Sequence, residues 1–471
     1  MTPDPTTEKA ATASRWRMWA AMALLAGTAW GLGMLVGHEQ GYQARQAEVA
    51  TRPARSAPPR VDRQDRTGGA PTGAGDMQAT VVEALQALGY VDGLVSADGP
   101  RGVVDHAPAR TQPGFNLLVG ANRPEAILMS LDGTRRHSWS LSFKEAFPDQ
   151  PADPEAVGRR YWRRVNLLPD GGLIAIYEGQ GLVRIDHESN LVWAAFNHAH
   201  HHARVLADGQ VLVLVREFGQ KDGFHPTRPI VEDHLVWMDL ATGEERRRVS
   251  IVDALVASRY RRLLDRSWTA GDVLHTNTVQ VLDGRHAGRH PAMAAGHILL
   301  TLPNIDTLAV LDPTARGGKG EIVWTMVHGW RFPHEGTLLD SGQLMIFDNQ
   351  GNQSLSRIEI FDPASHTVTW RYDGSPENGF YTEICGAVHQ LDNGNLLITE
   401  SQDGRAFELT PDKEIVWDYR WDEWSADDPG LVAMLFDVQR IAADHPGLSF
   451  LGGRGLDDQG SRSRQSTAPG R

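Results

Sequence analysis

RVLADGQVLVLV, residues 204–215, reads as an apolar strand, an Asp-Gly turn and a second apolar strand. Asp-Gly between alternating apolar residues is a strong hairpin signal, because the tight turn needs positive φ and glycine supplies it without steric cost. The same unit recurs as VNLLPDGGLIAIY from Val165, TLLDSGQLMIF from Thr337 and HQLDNGNLLIT from His389. A weaker copy, TVQVLDG from Thr278, is rejoined by GHILLTL from Gly296 after an insertion.

Outward from each hairpin the chain closes with two more strands and a tryptophan. LVRIDHESNLVWAAF from Leu182, LAVLDPTARGGKGEIVWTMV from Leu308, RIEIFDPASHTVTWRY from Arg357 and RAFELTPDKEIVWDY from Arg405 share one frame: apolar strand, polar turn, then a strand carrying tryptophan. AILMSLDGTRRHSWSL from Ala126 fits it, and LVWMDLATGEERRRVSI from Leu235 fits without the tryptophan. Four strands per unit, repeated about six times between Phe115 and Tyr419, predict an all-β, six-bladed β-propeller over 110–450. A pair of β-sandwiches would not give such regular closing tryptophans. The irregular stretch from Ile251 to Leu274 leaves a seventh blade open.

Bulk properties narrow the function. A net charge of −13 argues against nucleic acid as a partner. The single cysteine, Cys385, excludes an intramolecular disulfide framework and any multi-cysteine metal site.

The flanks read differently. Residues 1–18 form a short tail containing Arg15 and Arg17. Residues 19–37 begin WAAMALLAGTAWGLGMLV, an uncharged run just long enough to span a bilayer. The positive-inside rule then predicts a single-pass anchor in a bacterial inner membrane, with the propeller on the periplasmic or extracellular side. A cleaved signal peptide is the rival reading, although the exit LVGHEQGY shows no clear small-x-small site. Residues 38–76 have the composition of a flexible linker, 77–95 begin with apolar residues at helical spacing, and 451–471 have no apolar periodicity and are expected to be disordered.

In a propeller the innermost strand of each blade lines the central channel. Phased on the apolar residue four positions later, His201 (before Val205), His275 (before Val279) and His334 (before Leu338) share one ring position. Arg163 takes it in a fourth blade and Gly386 in a fifth. Two chemistries suit such a ring. Imidazole can be a nucleophile that accepts a transferable group, with its neighbours stabilising anionic oxygens. Three histidines can instead hold a divalent metal with an open position. Residue chemistry favours the first, with no metal and no cofactor, since no carboxylate shares the phase. A third reading is a non-catalytic exported propeller that binds a small anion or a protein partner.

The chain resembles the bacterial arylsulfotransferase family, six-bladed propellers that move sulfate between phenols without a nucleotide donor. The resemblance runs from about Phe115 to Tyr419 and rests on NLLVGANRPEAILMSLDG from Asn116, HHHARVLADG from His200, DVLHTNTV from Asp272, FPHEGTLLDSGQLMIFDNQGN from Phe332 and GRAFELTPDKEIVWDY from Gly404. It implies a ping-pong reaction between an aryl sulfate and a phenol through a transient sulfohistidine. By segment match His334 would be the nucleophile, His275 and Asn277 would hold the sulfuryl group, and His201 matches another family histidine. Arg163, Arg331, Glu335 and Tyr381 complete the expected substrate contacts. The chain departs from the pattern where the family arginine aligns with Pro303 and two family aspartates align with His202 and Glu335. A homo-oligomer remains open.

Overall fold

A computed structural model describes residues 92–96, 99–153, 156–267, 270–351, 355–374, 379–426 and 430–454. All of these except Gly379 fall in one unit formed by residues 69–374 and 380–471. The expected anchor at 19–37, the linker, most of the 77–95 segment and most of the C-terminal tail lie outside the described residues. Among the described residues no helix is long and apolar enough to cross a membrane.

The repeat folds as six antiparallel blades. Blade 2 comprises Trp162–Leu167, Leu173–Tyr177, Gly181–Ile185 and Leu191–Ala195, from the channel outward. Blade 3 comprises Ala199–Val205, Gln210–Gly219, Ile230–Asp239 and Glu245–Ser250. Blade 4 runs Thr278–Val281, Ile298–Leu302, Thr307–Asp312 and Glu321–Met326, and blade 5 Pro333–Leu338, Leu344–Asp348, Arg357–Asp362 and Thr367–Tyr372. Blade 6 has Ala387–Gln390, Leu396–Glu400, Arg405–Leu409 and Ile415–Arg420, with Gly102–His106 added on its outer edge. The ring closes in blade 1, where the C-terminal strand Leu435–Ile441 pairs with Phe115–Gly120, followed by Glu125–Ser130 and Arg135–Ser140. Closure between chain ends leaves no blade unpaired at the seam, so opening the ring requires breaking a full strand ladder.

The stretch that left a seventh blade open is an insertion. Ile251–Val256 is a short helix whose N-terminus is capped by the Ser250 hydroxyl, which accepts from the Asp253 N–H at 2.9 Å. Gly271–Asp272 then returns to pair with Ile230 and Val231 of blade 3.

Four of the recurring tryptophans are latches between blades. Trp139 of blade 1 donates to Gly171 O at 3.0 Å, Trp193 of blade 2 to Leu240 O at 3.0 Å, and Trp370 of blade 5 to Pro411 O at 2.8 Å. Trp417 of blade 6 donates to Leu131 O at 2.9 Å, across the closure. Each indole buries its body between sheets and spends its one donor on a turn carbonyl of the next blade.

Candidate active site

The inner strands of blades 2, 3 and 5 are not regular where they pass the channel centre. The blade 2 ladder skips Arg163, and the blade 3 ladder steps from His200 to Ala203 over His201 and His202. The blade 5 ladder is irregular between His334 and Thr337. Bulges of this kind release residues from pairing and re-aim their side chains. At the same level His201, His275, Glu335 and Cys385 have positive φ, between 48° and 59°. Such backbone costs about 1–3 kcal/mol per residue and concentrates where geometry serves a site.

The ladders revise the register inferred from spacing. Leu206, Leu282 and Leu339 are equivalent, each donating its N–H across the first turn of its blade at 2.8 Å. By sequence count from that turn, Asn277 matches His201 and His334 while His275 lies two residues earlier, ahead of the strand, and across the bulges it is His200 that pairs level with His334. His275 nevertheless reaches the ring. Its N–H donates to Asp272 Oδ1 at 2.9 Å, its Nδ1 to Asp272 Oδ2 at 2.5 Å, and its ring meets His201 edge-on at 4.8 Å. Burial would raise Asp272, but His275 and its hydrogen bonds hold that carboxyl below its ordinary value. His275 Nδ1 is thereby committed to Asp272.

His334 is fixed by a different partner. Its Nδ1 lies 2.8 Å from Asn349 Oδ1 and 3.2 Å from Phe332 O, both acceptors. The Asn349 amide cannot be the other way round, because its Nδ2 donates to Thr382 O at 2.9 Å and to Cys385 O at 2.7 Å. The proton of His334 is therefore on Nδ1 and the lone pair on Nε2. Burial, with Arg163 and His275 nearby, lowers His334 to about 3, so the ring is neutral at ordinary pH.

Arg163 enters the same space. It is 6 % exposed, its guanidinium stacks over Phe436 at 4.8 Å, and it pairs with no carboxylate among the described residues. A buried, unneutralised guanidinium beside three imidazoles is a receptor for an anionic group. Phe332 lies between the two outer histidines, 5.6 Å from His275 and 5.6 Å from His334. Its N–H is held by Asp306 Oδ1 at 3.0 Å, and Asp306 follows the Pro303–Ile305 turn. The place where the family arginine aligns is thus a turn that supports Phe332.

Other expected contacts sit elsewhere. Glu335 faces a layer beside the ring, where it accepts from Arg164 at 2.5 Å. Arg331 is exposed and touches the site only through its N–H, which caps Asp348. The Asn277 side chain braces strands, donating to Pro333 O at 3.1 Å and accepting from Thr278 Oγ1 at 2.9 Å. Tyr381 is half-buried, with its N–H on Glu400 Oε1 at 2.7 Å. Asn349 orients His334. Asp272, Phe332 and the cluster beneath His201 were not singled out by spacing, since each acts through the residue beside it.

That cluster also bears on metal binding. The one group of three donors close enough to hold an ion among the described residues is Glu178, His200 and His201, within 4.8 Å of one another. Arg216 Nη2 sits among them, 3.2 Å from His201 Nδ1 and 3.3 Å from Glu178 Oε1. A guanidinium in that position fits an arrangement of acceptors around a cationic side chain and leaves a metal ion no favourable place.

Solved structures are similar to this chain at low identity. A protein of unknown function from Bacteroides caccae is 13 % identical, covering 69 % of this chain and 98 % of its own, with a TM-score of 0.46. A functionally unknown protein from Desulfotomaculum acetoxidans is 10 % identical, covering 70 % and 100 %, with a TM-score of 0.39. Virginiamycin B lyase from Staphylococcus aureus is 10 % identical, covering 56 % and 70 %, with a TM-score of 0.33. No curated protein matches the chain. The family model for arylsulfotransferase (ASST) matches residues 164–422, which holds Glu178 and all the ring residues after Arg163, and with more than half its length matched this chain belongs to the arylsulfotransferase family.

Proposed function

We propose that this protein transfers a sulfuryl group from an aryl sulfate to a phenol through His334. The observation that carries the reading is the 2.8 Å contact of His334 Nδ1 with a pinned Asn349 carbonyl, which leaves Nε2 as a neutral nucleophile. In the first half-reaction Nε2 attacks sulfur, an N–S bond forms, the S–O(aryl) bond breaks, and the phenolate leaves with the electron pair. His275, when protonated on Nε2 and braced by Asp272, delivers that proton to the phenolate. In the second half the acceptor phenol gives its proton to His275, its oxygen attacks sulfur, and the N–S bond returns its pair to His334.

Arg163 supports the charge on the sulfuryl oxygens, which is where an electrostatic contribution is largest. Phe332 offers an aromatic face between the nucleophile and the acid–base pair. The apolar, uncharged run at 19–37 after Arg15 and Arg17 supports an anchor that holds the propeller outside the cytoplasm.

The test is turnover of 4-nitrophenyl sulfate with a panel of phenols by the full-length protein, with and without EDTA. Phenol-dependent release of nitrophenol that survives EDTA, together with one SO3 carried on the peptide containing His334 after quenching without acceptor, supports the reading. Absence of both across the panel overturns it.

A further inference from the structure

Phe332 places its ring between His275 and His334, 5.6 Å from each, on a backbone with φ of 53°. A bulky side chain rarely takes positive φ. Pro333 follows it, and a proline favours an extended residue with negative φ before it. Both local preferences oppose the observed backbone, so contacts from elsewhere in the fold impose it.

Those contacts are two carboxylates on two consecutive N–H groups. The Arg331 N–H donates to Asp348 Oδ1 at 2.8 Å, and the Phe332 N–H donates to Asp306 Oδ1 at 3.0 Å. Bonds to an ionised acceptor are stronger than neutral ones. The two carboxylates come from different blades. Asp348 ends the second strand of blade 5, where it pairs with Pro333 and Arg357. Asp306 lies between the second and third strands of blade 4, in a left-handed conformation that aspartate tolerates better than most residues. Its Oδ2 faces Arg266 Nη2 at 3.4 Å. The carbonyls are held as well: Arg331 O accepts from the Gln350 N–H at 3.2 Å, and Phe332 O lies 3.2 Å from His334 Nδ1. Phe332 stays half-buried while Pro333 and His334 beside it are buried, so part of its surface is open to a ligand.

We infer that Asp306 and Asp348 are positioning residues that clamp Phe332 from two blades, fixing its ring beside His334 as the surface that selects an aryl group over an aliphatic one. Aromatic pairs gain their extra attraction only in offset or edge-on geometries, so a ring free to swing would lose it. The selection of aryl acceptors rests on the proposed reaction. The clamp itself is a property of the free protein.

The experiment uses full-length protein and 4-nitrophenyl sulfate as donor. Phenol competes as acceptor with hexafluoroisopropanol, an aliphatic alcohol of similar acidity. The ratio of the two sulfated products reads the acceptor step alone, and a variant that merely folds less well leaves it unchanged. Phe332→Leu should lower the preference for phenol about 2–10-fold, the scale of one aromatic contact. Asp306→Ala should reproduce most of that loss, and Asp348→Ala should move the ratio the same way. Asp306→Asn, which keeps the acceptor oxygen, should restore it, and Asp306→Ala should add nothing in a Phe332→Leu background. Binding of 4-nitrophenol, followed by its absorbance, needs no turnover and should weaken in the same variants. A ratio unchanged by Phe332→Leu, or lowered as far by Asp306→Asn as by Asp306→Ala, overturns the inference while the reaction stands. Nitrophenol binding that follows the clamp in a protein that never turns over aryl sulfates upholds the clamp and sinks the reaction. A wild type that neither binds nitrophenol nor turns over overturns both.

Discussion

Asn349 turns its carbonyl oxygen to His334 Nδ1 at 2.8 Å because its amide nitrogen is held by two backbone carbonyls, Thr382 O and Cys385 O. Asn349→Ala removes the acceptor but leaves the substrate contacts of the ring in place. The expected outcome is a kcat about 10–100-fold lower with KM near wild type. Steady-state kinetics on an aryl sulfate would check it. A raised KM with unchanged kcat would mean that Asn349 binds substrate rather than orienting the nucleophile.

Arg163 and Arg331 are both expected substrate contacts, and the structure separates them. Arg163 is buried over Phe436 without a carboxylate, while Arg331 points to solvent. Arg163→Ala should reduce kcat/KM by about 10²–10³, the range for loss of one anion-stabilising donor. Arg163→Lys should restore little, because an ammonium cannot stack on Phe436 as a planar guanidinium does. Arg331→Ala should match wild type.

Much of this was legible in the sequence. The Asp-Gly hairpins and closing tryptophans gave the blades because both are local: a tight turn demands glycine, and an inter-blade latch demands an indole. His201 and His334 could be phased from their own hairpins. The six-fold closure was less visible, since Leu435–Ile441 pairs with Phe115–Gly120 from the other end of the chain. His275 was found by a spacing that the ladder does not keep, and it reaches the ring through a positive-φ turn held by Asp272. Asn349 shows nothing of its role in the sequence because its partners, Thr382 and Cys385, lie more than thirty positions away. Such contacts depend on which blades become neighbours, and that is decided only when the ring closes.

The buried histidines give acid sensitivity a defined sign. His200, His201, His202 and His334 all have folded-state values below the ordinary 6.5, burial being the largest cause. Above 6.5 both folded and unfolded imidazoles are neutral and no stability is lost. As pH falls below 6.5 the unfolded chain takes up protons that the folded one refuses, costing about 1.4 kcal/mol per pH unit for each such group. Denaturant midpoints should therefore start to fall near pH 6.5, partly offset by Asp348 and Asp233, whose carboxyls burial raises to about 7 and about 6 so that the folded chain takes up protons there first. Replacing His202, which lies outside the proposed chemistry, with Gln should make that decline shallower. A midpoint flat down to pH 5 would contradict the assignment of these rings as neutral and buried.

Closure of the ring can be probed at two of the tryptophan latches. Trp417 of blade 6 donates to Leu131 O of blade 1 at 2.9 Å in a buried setting, while Trp370 makes the equivalent bond to Pro411 O in an exposed one. Trp417→Phe keeps most of the apolar body but leaves a buried carbonyl unpaired, a cost of about 1–3 kcal/mol. Water can replace the indole at Pro411, so Trp370→Phe should cost less. The Trp417 bond also links a strand from the C-terminal side of the closing ladder to the part of blade 1 on its N-terminal side, so its loss removes a cross-link that backs up the pairing of Leu435–Ile441 with Phe115–Gly120. Thermal unfolding of the two variants side by side measures the difference. Equal losses would mean that this bond adds nothing to closure and that the strand ladder alone closes the ring.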